Sequence, residues 1–268
     1  MVLNPDNKRM PRFGWRQNMI FERGIWAETF RNFWTNKWVV LAVVVILTAR
    51  AVVEDYTQSS GVGGIWVGLV WFPLIIAAHA TILNGTNGFY GINGDQFRTV
   101  YFPFLWRSLG LSMICFLPAF AIAFLVAGSE NVFELSIIVM LSYAAFASFV
   151  LAKWGTMLPA CVALGNRTIK AASARGSKTF GYIIGRFWVC NTLLLVVGFI
   201  GIVVASTIAN RLSSTANSIG HYVIEAVEQT LIALMLAMNL VLLATILSRA
   251  YLIAEAEMKK AAARASAS

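Results

Sequence analysis

Six apolar runs divide the chain. They cover Trp38–Val53, Gly64–Leu83, Ser108–Ala127, Val132–Leu151, Phe187–Ile208 and Thr230–Leu252. Each is about 16–23 residues long, near the roughly 20 that an α-helix needs to cross a ~30 Å hydrocarbon layer. A backbone in lipid must satisfy its own hydrogen bonds, which favours helices. The alternation of a membrane β-strand, in segments of about ten residues, is absent. The pattern predicts an all-α polytopic membrane protein with six transmembrane helices over residues 38–252. An N-terminal segment, 1–37, precedes them, and an Ala-rich tail, 253–268, follows.

Polar and aromatic positions outside the runs predict amphipathic interfacial helices. Trp26, Phe30, Phe33 and Trp34 follow i, i+4, i+7, i+8 spacing and share one helical face, away from Glu28, Arg31 and Asn32. Such a stripe suits an interfacial helix, with these four residues as anchors, or packing on the bundle. Residues 166–186 repeat the theme. Arg167, Lys170, Arg175 and Lys178 fall on one arc, and Ile169, Phe180 and Ile183 on the opposite one. Gly176 and Gly181 weaken that helix by about 1 kcal/mol each relative to Ala. Thr29-Phe30 lies eight residues before Trp38-Val39, as Thr179-Phe180 does before Trp188-Val189, with Gln96–Trp106 as a middle copy. This spacing suggests three hairpins, each entered by an amphipathic segment. The three Asn-Gly pairs between Asn84 and Asp95 predict a compact, turn-rich loop.

Composition sharpens the class. Of the 268 residues, 59% are hydrophobic and 12% charged. That excludes a soluble enzyme, a disordered chain and a disulfide-stapled domain. The net charge of +9 comes from 21 basic and 12 acidic residues. Nineteen of the 21 basic residues fall before the first run, in the alternate loops, or from Arg249 to the end. Only Arg50 and Arg211 fall on the other side, among Glu54, Asp55, Glu130 and Glu134. The positive-inside rule then places both termini in the cytoplasm. Ala49-Arg50-Ala51 resembles a signal-peptide cleavage site, but 37 residues, including Glu22 and Glu28, precede the first run. That run is expected to be retained. The basic arc Arg167, Lys170, Arg175 and Lys178 is expected either to contact anionic lipid or an acidic partner, or only to set topology.

Candidate chemistry is sparse. Cys115, Cys161 and Cys190 are widely spaced and read as buried thiols, with no metal motif. No ionisable residue falls at the middle of a run, which argues against a proton-coupled pump. His79 is the exception, about four residues from the end of the second run. It is a candidate haem or pigment ligand, against the plainer reading of a histidine bonded to a neighbouring helix. Asn191 and Asn239 are candidate interhelical hydrogen-bond partners. Gly201 with Ala205, and Ala144 with Ser148, form small-xxx-small pairs suited to close helix packing. Pro118 is expected to kink the third span. Catalytic triads, zinc-protease signatures and nucleotide loops are absent from the sequence. No cofactor, metal or nucleic-acid partner is expected.

Three stretches carry a family resemblance. They are Met157-Leu-Pro-Ala-Cys-Val-Ala-Leu-Gly, Ala171-Ala-Ser-Ala-Arg-Gly-Ser-Lys-Thr and Gly185-Arg-Phe-Trp, with Phe30-Arg-Asn-Phe and Ser248-Arg-Ala-Tyr near the ends. The pattern resembles YciC-like proteins, related to the membrane domain beside some glycerophosphodiester phosphodiesterases. The resemblance implies a six-span bundle of the bacterial inner membrane without catalytic residues of its own. The expected function is therefore a non-enzymatic accessory or scaffold subunit with a membrane-protein partner. The alternative is a small transporter or channel for an uncharged or lipidic substrate.

Overall fold

The computed structural model describes residues 24–57, 64–85, 94–126, 132–213 and 218–267. The basic stretch from Lys8 to Arg23 and most of the Asn-Gly loop lie outside them. All regular structure among the described residues is helical: α1 (Ile25–Thr35), α2 (Lys37–Thr57), α3 (Gly64–Asn84), α4 (Gly94–Val126), α5 (Val132–Trp154), α6 (Met157–Val162), α7 (Ile169–Ser213) and α8 (Ser218–Ala267). Each of the six apolar runs is helical across its described residues. Among the described residues, three stretches are long and apolar enough to cross a membrane: 98–122, 169–198 and 222–266. The bent pair α1–α2 makes a fourth if taken as one span, and 70–84 and 141–154 are shorter apolar helices.

α8 is the central post and packs against α1, α2, α3, α6 and α7. α5 bridges α7 to α4 on the other flank. One end of the bundle gathers α1, α6, the starts of α4 and α7, and the last third of α8. Arg31, Arg98, Arg107, Arg167 and Lys170 lie there, and it is called the basic end below. Its core includes Phe104, Ala160, Cys161, Ala172, Ile183 and Leu247, all nearly or fully inaccessible. Towards the far end, α4 and α7 pack less. Phe120 and Phe124 are 75% and 79% exposed, and Val197 and Val204 are exposed as well.

Several expectations need correction. Residues 166–186 do not form a separate interfacial helix: from Ile169 they are the opening turns of the 45-residue α7, which continues through Gly176 and Gly181. A Cβ on Gly176 would overlap the carbonyl oxygens of Lys153 and Ala152, so this glycine lets α7 cross the end of α5 at backbone distance. The three-hairpin repeat holds only loosely. α1 is set at 74° to α2, whereas the other two leading segments run unbroken into their helices. The tail is no separate segment either, since α8 runs to Ala267 with Ala254 buried. Its Ala, Glu and Lys residues are strong helix formers.

α6 went unforeseen. All six of its residues are buried, wedged against α3, α4, α7 and α8. Pro159 sits in its first turn, where a missing N–H costs little. The helix closes on Leu164 at φ 53, with Gly165 N–H donating to Ala160 O at 2.9 Å, a Schellman stop.

Candidate functional site

On α1 and its C-cap, Glu28, Asn32 and Asn36 recur every four residues, and on α8 Thr245, Ser248 and Arg249 share one face. In water such stripes face solvent. In a surrounding as apolar as the protein interior they turn inward, because only there do they find partners. All six are buried. The Glu28 carboxylate accepts from Arg249 Nε in a buried ion pair. Asn32 Nδ2 donates to Ala78 O at 3.1 Å and to Thr245 Oγ1 at 3.4 Å. Asn36 Nδ2 donates to Thr81 Oγ1 at 3.0 Å and to Asn32 Oδ1 at 2.8 Å. α1 is therefore docked on α3 and α8 through its polar face.

The aromatic stripe of α1 divides accordingly. Phe30 and Trp34 are exposed, whereas Trp26 packs on the main core and Phe33 on a second one. Lys37 Nζ lies over the Trp34 and Trp38 rings at 5.3 and 5.6 Å.

His79 is fully buried. Its Nδ1 is 2.7 Å from Ser248 Oγ, the Phe104 ring lies against the imidazole, and Nε2 has no partner among the described residues. A hydroxyl and an imidazole at this distance resemble a nucleophile and its base. Both are sealed from solvent, so the pair acts here as a tie between α3 and α8. No three His, Cys, Asp or Glu side chains converge to hold a metal among the described residues.

The basic arc is the clearest correction. Arg175 is 1% exposed. Its Nη1 donates to Glu255 Oε1 at 3.2 Å, its Nη2 to Asn166 O at 2.8 Å, and the guanidinium stacks over Tyr251. These partners hold it inward, away from Lys170 and Lys178, which remain exposed on α7. Arg167 precedes the helix and turns to α4. Pro103 has no N–H to give the Thr99 carbonyl, and Arg167 Nη1 donates to that oxygen at 3.3 Å. Arg107, on α4, donates through Nε to Arg167 O at 3.3 Å. The four residues thus form no common face.

Helix packing departs from expectation in the same way. Ser148 is buried and Ala144 half-buried on α5. Gly201 is exposed, and a Cβ there would meet nothing within 4 Å. The Ala205 side chain lies outside the described set. α7 meets α8 instead at Gly198, where a Cβ would strike Met235. Asn191 bonds within its own helix, to Phe187 O at 2.8 Å. A polar link between α2 and α8 is Thr48 with Thr230, at 3.1 Å. All three cysteines are buried and unpaired with each other. Burial pushes the Cys161 thiol up, against smaller opposing effects of Arg107, Arg167 and Arg175.

Two of the clefts among the described residues carry charged groups. One, of about 480 Å³, lies between α2, α3 and α8 towards the far end, lined by Arg50, Glu54, Trp71, Glu225 and Gln229. Arg50 and Glu54 pair across one helical turn at 2.8 Å. The cleft stops at Leu47, Ala233 and Leu236. Beyond it Val40, Val43, Leu74, Ala78, Ala237 and Val241 form a closed apolar seam. The other cleft, of about 440 Å³, opens at the basic end beside Arg107 and Arg167.

No family model, curated protein or solved structure matches this chain. The polar stripes of α1 and α8 were the residues overlooked in the sequence. Their signal was present: Glu28, Asn32 and Asn36 at fourfold spacing, within a chain otherwise short of polar groups.

Proposed function

We propose that this protein is a non-catalytic, six-span accessory or scaffold subunit of the bacterial inner membrane, with its basic end and both termini in the cytoplasm. The observation that carries the reading is the closed seam of valines and alanines between α2, α3 and α8. The far-end cleft ends on it at Leu236, five residues before Val241, or about 8 Å of helix. A carrier needs a polar site near the middle of the bilayer, typically at a break in a helix. Here the middle of α8 is continuous and buried against small apolar side chains. The resemblance to YciC-like proteins agrees with this reading and forms part of the proposal.

Gly201 supplies the partner face. Among the described residues a Cβ at Gly201 would meet nothing within 4 Å, and small residues are what let transmembrane helices approach closely. Photo-crosslinkers at Val197 and Val204 should trap one discrete membrane protein in native membranes. Gly201→Leu should abolish that adduct while leaving the thermal unfolding of the purified chain unchanged. Solute flux through proteoliposomes of the purified protein, with no discrete adduct from α7, would sink the reading in favour of transport.

A further inference from the structure

The cleft at the basic end has a composition that points to one ligand. Its rim carries two guanidinium groups and its walls are apolar. Arg107 and Arg167 are locked to each other and to α4: Arg107 Nε donates to Arg167 O, Arg107 Nη1 to Pro103 O at 3.0 Å, and Arg167 Nη1 to Thr99 O. These bonds are to neutral carbonyls. Neither arginine has a carboxylate partner among the described residues, and no acidic residue lines the cleft. Two cations are thus held on neutral carbonyls of the same helix and loop, with no carboxylate partner among the described residues, which distinguishes them from Arg175 and Arg249.

Below the rim the cleft runs along α4. Gly110 leaves it open, since a Cβ there would meet nothing within 4 Å, and Leu111 and Ile114 continue the apolar wall. Trp106 and Trp154 flank it, and indole rings favour the boundary between headgroups and hydrocarbon. The third apolar run begins at Ser108, which sets the arginines just before the apolar segment and Gly110 to Ile114 within it.

We propose that this cleft binds one anionic phospholipid. Its phosphate sits between Arg107 and Arg167, and one acyl chain lies along Gly110, Leu111 and Ile114. Paired guanidinium donors suit phosphate oxygens, and basic pockets between membrane helices bind such headgroups. A zwitterionic headgroup is disfavoured because its ammonium meets no acid in the cleft. The site replaces the broad basic face expected from the sequence, and Lys170 and Lys178 have no part in it. The inference needs the chain to be embedded in a membrane but does not depend on a scaffold role.

The test is native mass spectrometry of the full chain, purified in neutral detergent and titrated with phosphatidylglycerol or phosphatidylcholine. One phosphatidylglycerol per chain should be retained, at least tenfold more readily than phosphatidylcholine. The double variant Arg107→Gln/Arg167→Gln should lose that preference. Gly110→Leu fills the acyl groove without touching either arginine and should lose the bound lipid while eluting as a folded species. If the arginine variant fails to fold, Gly110→Leu decides alone. Lys170→Gln/Lys178→Gln should bind as the unaltered protein does. Retention by Gly110→Leu, or equal loss in the lysine variant, overturns the site. Inorganic phosphate protecting against thermal unfolding as well as the lipid does would make it a simple anion site and also overturn the proposal. Flux in proteoliposomes would refute the scaffold reading and leave this result untouched.

Discussion

Glu28 and Arg249 show how a buried charge is tolerated in this molecule. Each is almost inaccessible, and each is the other's counter-ion. Desolvating two ions is costly, and the pair roughly repays that cost only while both members are present. Removing one leaves the other stranded, at about 3–5 kcal/mol. Glu28→Ala should therefore lower the unfolding midpoint in detergent sharply. Glu28→Leu/Arg249→Met should recover most of the loss, since an apolar pair of similar volume removes the stranded charge. A double variant no more stable than Glu28→Ala would mean that the pair is not what holds α1 to α8. The same logic explains why Arg175 is not at the surface. Glu255 lies 80 residues away in the chain and is its carboxylate partner.

Among the elements, α7 shows what decides where helices meet. Its glycines look alike in the sequence, yet Gly176 faces the end of α5, Gly198 faces Met235, and Gly201 faces open space. Replacing Gly by Ala in a helix gains about 1 kcal/mol in propensity. At Gly201 nothing opposes the gain, so Gly201→Ala should leave the midpoint unchanged or slightly higher. At Gly176 the new methyl group meets backbone carbonyls that cannot rotate away, and overpacking of this kind costs about 1–3 kcal/mol or more. Gly176→Ala should unfold at a lower temperature. The reverse order of the two midpoints would show that α7 does not cross α5 at that point.

For the whole molecule, orientation is the property that charge alone predicts. On the six-span reading proposed above, nineteen of 21 basic residues fall to one side of the membrane. Single cysteines at Gln58 and Ser214, in a background with Cys115, Cys161 and Cys190 replaced, should react with an impermeant maleimide added outside cells. A cysteine at Ser177 should react only after permeabilisation. Ser177 is exposed on α7, so its protection would reflect the membrane and not the fold. Labelling of Ser177 from outside, with Gln58 and Ser214 silent, would invert the topology and place the paired arginines of the basic cleft at the outer leaflet.

The sequence by itself determined that the six apolar runs are helical. A chain in lipid must close its backbone hydrogen bonds locally, so long apolar runs become helices whatever surrounds them. It also determined the charge asymmetry, which is a count along the chain. It did not determine which face of each helix turns inward. Lipid is as apolar as the interior, so hydrophobicity does not tell a buried valine from an exposed one. That choice fell to groups that need partners and to glycines that need room. Glu28 meets Arg249 across 221 residues, and Asn32 meets Thr245 across 213. Arg167 reaches a carbonyl on α4 that Pro103, 64 residues earlier, leaves without a helix donor. Only the tertiary structure brings these together, because no local rule fixes a contact between residues so far apart.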